Sequence, residues 1–158
     1  MDKNMLAVSI FPVEVNGSIK DPLESARELD IITDKSFYDL VDEFKIKLSV
    51  KNNLLRDVKI INDNCRMPVF ILEKKIDEYW ERVYLSDNFG IPVRSISQTE
   101  VVSGGSYDFE INIYSSEILD DDINGYYRLR FNLIDKESSK RLPEKYLYSN
   151  VFNIGGGL

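Results

Sequence analysis

Residues 124–133 read Asn124-Gly125-Tyr126-Tyr127-Arg128-Leu129-Arg130-Phe131-Asn132-Leu133. Asn-Gly opens the stretch as a turn, because glycine takes positive φ without steric cost. The residues after it alternate. Tyr127, Leu129, Phe131 and Leu133 share one face, while Tyr126, Arg128, Arg130 and Asn132 share the other. A period of two with one apolar face is a half-buried strand. The apolar set belongs inward, and Tyr126, Arg128 and Arg130 belong on an outward face.

Two further runs repeat this pattern. Phe44, Ile46, Leu48 and Val50 alternate with Lys45, Lys47 and Ser49, and Tyr107, Phe109, Ile111 and Ile113 alternate with Asp108, Glu110 and Asn112. Around them stand shorter β-prone pieces. Leu6–Ile10 suggests a first strand, residues 31–38 a short edge strand or bend, and Val58–Ile61 and Val69–Leu72 two more. Glu73–Glu78 reads as a polar turn, Tyr79–Leu85 as the second arm of a hairpin, and Tyr146–Ile154 as a last strand. Ser103-Gly104-Gly105-Ser106 reads as a hairpin turn; it lacks the lysine and following helix of a phosphate loop. Asp21-Pro22-Leu23-Glu24 carries helix-start chemistry, with a capping residue, proline at the first helical position and a glutamate reaching back. One short helix over 22–29 is therefore expected. Many strands between turn signals and almost no other helix give an all-β fold, an antiparallel sandwich of about seven to nine strands.

A chain of 158 residues fits one domain. We divide it into residues 1–27 (a strand and short helix packed on the domain), 28–154 (the β-sandwich) and 155–158 (a flexible glycine tail). The sequence has no histidine and one cysteine, Cys65. Ser-His-Asp and Cys-His catalysis and imidazole zinc sites are thus excluded, as is an internal disulfide. Cys65 reads as a small buried apolar residue. The net charge of −7 and the lack of a basic run oppose nucleic-acid binding. No stretch approaches the roughly 20 apolar residues of a membrane helix.

Asp120-Asp121-Asp122-Ile123-Asn124-Gly125 reproduces the first half of a calcium loop, with oxygens at alternate positions and glycine at the turn. Phe131 stands where the bidentate acid belongs, and a strand follows where a helix should. Asp120, Asp122 and Asn124 therefore read as a solvated acidic turn, with weak calcium binding as the alternative and no cofactor expected. Glu73, Asp77, Glu78 and Glu81 near Trp80 offer carboxylates to a hydrolase, but charged residues on a hairpin ordinarily keep it soluble. The remaining candidates are aromatic: Tyr126 beside Arg128 and Arg130 suits a protein interface, and Trp80 with a neighbouring tyrosine suits a sugar platform.

The order of these features resembles bacterial immunoglobulin-like domains of exported or cell-surface proteins. Gly125-Tyr126-Tyr127-Arg128-Leu129 is similar to the family's Gly-x-Tyr-x-Cys, with Leu129 in the cysteine's place. Around it lie Thr33-Asp34-Lys35-x-x-Tyr38, Val50-Lys51-Asn52-Asn53, Trp80 after a charged turn, Gly104-Gly105-Ser106 and Ser149-Asn150-Val151-Phe152. The departures are the missing disulfide and the late position of Trp80. The resemblance implies that the Tyr127 hydroxyl is buried against backbone near Ile118 to Asp122. It also implies a non-catalytic module, binding a protein or building a surface structure, with a surface glycan as the alternative ligand. An exported module would be periplasmic or at the cell surface, with a lipoprotein-type or other export signal lying outside this sequence; the alternative is cytoplasmic.

Overall fold

The computed structural model describes residues 28–86 and 97–155, together with the backbone of Val15–Asn16 and Ser18–Ile19. These last two pieces pair antiparallel, Val15 with Ile19 and Asn16 with Ser18. The expected strand at Leu6–Ile10 and residues 22–27 of the expected helix lie outside the described residues. Where that helix should end, the chain is already extended: Leu29 is the first residue of a strand. The strand wins because Leu29 and Ile31 alternate with Asp30 and Ile32 and bury their side chains against the core.

Numbered from there, the strands are β1 (Leu29–Thr33), β2 (Phe37–Asp39), β3 (Glu43–Asn52), β4 (Val58–Ile61), β5 (Phe70–Ile76) and β6 (Tyr79–Leu85). They continue as β7 (Gln98–Val101), β8 (Ser106–Tyr114), β9 (Gly125–Phe131), β10 (Leu133–Asp135) and β11 (Phe152–Gly155). Three sheets result: β8-β3-β1, β2-β11-β9-β5-β6 and a short β7-β4-β10. Among these strands all pairings are antiparallel except that of β2 with β11. Buried residues of all three sheets, among them Ile46, Leu48, Ile113, Leu72, Tyr127, Leu129, Phe152, Ile154 and Val58, form one apolar cluster. The fold is all-β around that core, as the three alternating runs require. Among the described residues no helix is long and apolar enough to cross a membrane.

Several sequence expectations change in the folded chain. The run 124–133 is not one strand. β9 pairs with β5 through Phe131, and after Asn132 the chain passes to β4 as β10. The alternation survives the switch, so the sequence carries no mark of it: Phe131 and Leu133 are both buried. The Glu73–Glu78 turn shrinks to Asp77-Glu78, with Asp77 at φ 56°, a conformation aspartate tolerates. Glu73, Lys74 and Lys75 extend β5 instead. The last strand shortens to Phe152–Gly155, preceded by a 3-10 turn at Glu144–Tyr146. Finally, Cys65 is exposed, not buried. It lies in a tight turn closed by Asp63, whose Oδ1 accepts the amides of Cys65 (2.7 Å) and Met67 (3.0 Å).

The Gly104-Gly105 turn forms, with Gly104 at φ 82°, but does not make a hairpin. Its two flanking strands join different sheets, β7 to β4 and β8 to β3. The turn is fixed by the buried Asn52. The Gly104 amide donates to the Asn52 carbonyl (2.7 Å), and the Asn52 amide group donates to Val101 O and Arg56 O, each at 2.9 Å. A buried amide with its hydrogen bonds made costs little, whereas an unpaired one costs much. At the start of the domain the chain divides between sheets. β1 pairs with β3, bends at Asp34, and β2 pairs with β11. Tyr38 spans the bend, donating to Asp34 Oδ1 at 2.5 Å, and Asn150 closes it by accepting Thr33 N–H and donating to Thr33 Oγ1, both 2.8 Å.

Candidate functional site

The outer face of β2-β11-β9-β5-β6 gathers most of the residues singled out by the sequence. Strand register decides the arrangement. Arg128 on β9 stands opposite Glu73 on β5, and Trp80 on β6 opposite Lys75, one side-chain row further along. Arg128 Nε lies 2.6 Å from Glu73 Oε1. Its guanidinium carbon is 4.4 Å from the Trp80 ring centre and 3.7 Å from that of Tyr148. Trp80 reaches it from the β6 side, and Tyr148, bridged to Arg130, from the β11 side. The planar, weakly hydrated guanidinium suits both tasks at once: stacking on rings and bonding a carboxylate at its rim.

Arg130 stands beside this stack. Its Nη2 is 3.2 Å from Glu144 Oε2, its guanidinium carbon 5.9 Å from the Tyr148 ring, and Tyr148 donates its hydroxyl to Glu144 Oε1 at 3.1 Å. Burial, and after it the negative charge of Glu73, holds the Tyr148 phenol above its ordinary pKa. The neighbouring part of the face differs. Tyr126 is 56% exposed, opposite Asn153, which stands opposite Phe37. Val151 and Phe37 are exposed as well. The face thus has a fastened half, Glu73, Trp80, Arg128, Arg130, Glu144 and Tyr148, and an open half around Tyr126.

Alternation correctly puts Tyr126, Arg128 and Arg130 on one outward face, yet only Tyr126 is exposed; Arg128 and Arg130 are half-buried. Trp80 is also half-buried, and no bare platform of Trp80 with a coplanar tyrosine forms, because Arg128 lies over its ring. Sequence alone offers Glu73 only as a carboxylate for chemistry; its partnership with Arg128 spans 55 positions and has no local signal. Glu144 escapes sequence reasoning for the same reason, and nothing local in the sequence pairs the aromatic Tyr148 with Arg128. Asp77 and Glu78 stand in the β5–β6 turn, and Glu81 stands opposite Lys74, away from Glu73's face.

On the inward side of the same sheet, Tyr127 is fully buried and its hydroxyl donates to the Ile123 carbonyl, one residue beyond the expected range. Burial, then the charges of Asp120 and Asp122, holds this phenol far above its ordinary value. Leu129 is fully buried in the core cluster. Asp120 and Asp122 come together around Lys74 of β5, and Asn124 bonds to Asp122 Oδ1. Lys74 Nζ is 2.9 Å from Asp120 Oδ2 and also donates to the Asp122 carbonyl. That hydrogen bond, and next the Asp122 amide, holds the Asp120 carboxyl below the usual carboxylate range. Among the described residues no group of three or more cysteine, aspartate or glutamate side chains is placed to hold a metal.

A separate concavity lies elsewhere, an open groove of about 700 Å³ on the outer face of β1-β3-β8, lined by Ile32, Asp34, Lys47, Lys51, Asp108 and Glu110 among others. Its charges alternate in sign across the strands, with Lys47 directly opposite Glu110. Opposite charges in register are the ordinary way an exposed sheet face is stabilised.

No family model matches the chain, and no curated protein does. Among solved structures, the chain is similar to a Northeast Structural Genomics Consortium target, SoR45, at 11% identity and a TM-score of 0.43, covering 81% of this chain and 83% of that one. It is similar to the sporulation control protein Spo0M of Bacillus subtilis at 15% identity and a TM-score of 0.38, over 82% of this chain and 49% of the other. For the Pseudomonas fluorescens alkylpurine DNA glycosylase AlkC, bound to DNA containing an abasic site analog, the values are 7%, 0.37, 84% and 32%. Likenesses this remote carry no inference about family or activity.

Proposed function

We propose that the protein is a non-catalytic, immunoglobulin-like module of an exported or surface protein, and that it binds a protein partner through the outer face of β2-β11-β9-β5-β6. The observation that carries the reading is the pairing of an open Tyr126 with an immobilised neighbour. Arg128 is already clamped by Glu73, Trp80 and Tyr148, so docking there orders few new side chains. Tyrosine beside arginine is the composition interfaces favour, and Val151 and Phe37 extend the apolar area.

The immunoglobulin-like part of the reading is supported by how the resemblance motifs meet in space. Thr33 and Tyr38 meet Asn150 and Asp34 at the divided first strand. Asn52 meets Gly104 and Gly105, Trp80 meets Arg128, and Tyr127 anchors the turn before its own strand. Against a hydrolase stands the commitment of Glu73 to Arg128, and against a sugar platform the guanidinium over Trp80.

A photo-crosslinking residue at position 126, compared with one at Lys47 on the opposite outer face, tests the site in the native host. A discrete protein adduct from position 126 alone is expected. Adducts from position 47 alone, or a shift of Trp80 emission on a glycan panel without protein adducts, would overturn the reading.

A further inference from the structure

We propose that the Lys74 ammonium is the resident cation of the Asp120–Gly125 loop, standing where the sequence pattern calls for a divalent ion and latching that loop to the sheet. Three of the side-chain oxygens of that pattern are already committed. Asp120 offers Oδ2 to Lys74 at 2.9 Å and Oδ1 to the Asp122 amide at 3.0 Å. Asp122 gives its carbonyl to Lys74 and its Oδ1 to the amide and side-chain N–H of Asn124, both 3.1 Å. A calcium ion would have to displace a covalently tethered ammonium from this set.

The tether itself is enforced. Lys74 is 7% exposed, and the chain closes over it at Gly125: a Cβ there would lie 2.8 Å from Lys74 Cε. A side chain at this position would have to push the end of the lysine aside, and the φ of +153° disfavours one there as well. Lys74 Nζ also lies 6.0 Å from the Tyr127 ring, and Tyr127 holds the loop's Ile123 carbonyl. Cation, carboxylate, carbonyl and ring thus form one closed unit joining β5, β9 and the loop between β8 and β9. An ammonium brings one charge without the rigid coordination and dehydration that a metal demands, and it is present whatever the surrounding calcium concentration.

Amide hydrogen exchange at Asp122 and Asn124 in the full chain, with thermal melts in millimolar calcium chloride and in EDTA, tests this. Wild type is expected to melt identically in both solutions. Lys74→Met is expected to speed exchange at both amides by about tenfold or more, since the loop then opens locally. Asp120→Asn, which keeps the shape of the side chain, gives the same readout if the lysine variant does not fold, and faster exchange is again expected. Stabilisation of wild type by calcium would show that a metal, not Lys74, is the loop's cation. Unchanged exchange in Lys74→Met, or in Asp120→Asn if the lysine variant does not fold, would show that the loop's own turns hold it without the ammonium.

Discussion

Lys74 and Arg128 stand one register step apart on paired strands, since Lys74 faces Tyr127 and Glu73 faces Arg128. They lie on opposite sides of the sheet and meet their counter-charges in different ways. Lys74 points inward and is sealed between an acidic loop and an aromatic ring. Arg128 points outward and lies between two rings with a carboxylate at its edge. The inward cation is a compact ammonium, which a carboxylate and a carbonyl can surround. The outward one is a flat guanidinium, which stacks. Exchanging the two residue types would suit neither site.

The difference should appear in stability, and the largest effect belongs to the inward site. Lys74→Met removes the partner of the Asp120 carboxylate and the Asp122 carbonyl, both of which water partly reaches, so chemical denaturation should show a loss of roughly 2 kcal/mol, the scale of hydrogen bonds to a charged group. A loss as small as that of a surface lysine would erase the contrast with Arg128. Tyr127→Phe should cost about 1–2 kcal/mol in the same assay, because it leaves the Ile123 carbonyl without its buried donor.

Arg128→Lys keeps the charge and removes the stacking. A loss of about 0.5–1 kcal/mol is expected, with Trp80 fluorescence becoming more open to acrylamide quenching. If quenching does not change, the guanidinium does not shield the ring in solution. Tyr126→Ala should lie within about 0.5 kcal/mol of wild type, being exposed, while abolishing the partner adducts formed by a photo-crosslinking residue at position 151 on the same open half.

Acid provides a further contrast. The Asp120 carboxyl is depressed in the folded state, so it contributes stability that is complete above the ordinary carboxylate pKa and is lost as pH falls through its folded value. The other charges facing this site are Lys74, Asp122 and, across the strand, Glu81, with the Tyr127 phenol neutral throughout. In urea denaturation below about pH 4, wild type should lose stability more steeply than Asp120→Asn.

The sequence is most legible where one face of a strand meets the core. Phe44 to Val50 and Tyr127 to Phe131 are readable because burial imposes a period of two on the residues themselves. It is least legible where charges point to both sides of a strand. Glu73-Lys74-Lys75 looks like a turn because no local rule shows that Glu73 has an arginine and Lys74 a carboxylate waiting far along the chain. Trp80 stands out by its type, but its partner comes from register. The calcium-like pattern is legible as a loop, and the cation it holds is invisible because a lysine 46 positions away enters no motif. Cys65 misleads for the opposite reason, since residue type suggests burial while Asp63 folds a local turn that exposes it.

The parallel pairing of β2 with β11 has a mechanical consequence. These strands stand near opposite ends of the described chain, joined by the Asn153 amide to Ser36 O (2.8 Å) and the Leu40 amide to Gly155 O (3.0 Å). Tension applied between residues 37 and 155 pulls the two parallel strands past each other along their length. Their hydrogen bonds then carry the load together instead of parting one at a time, as they would in a hairpin peeled from its open end. Such a patch resists force as a lap joint does.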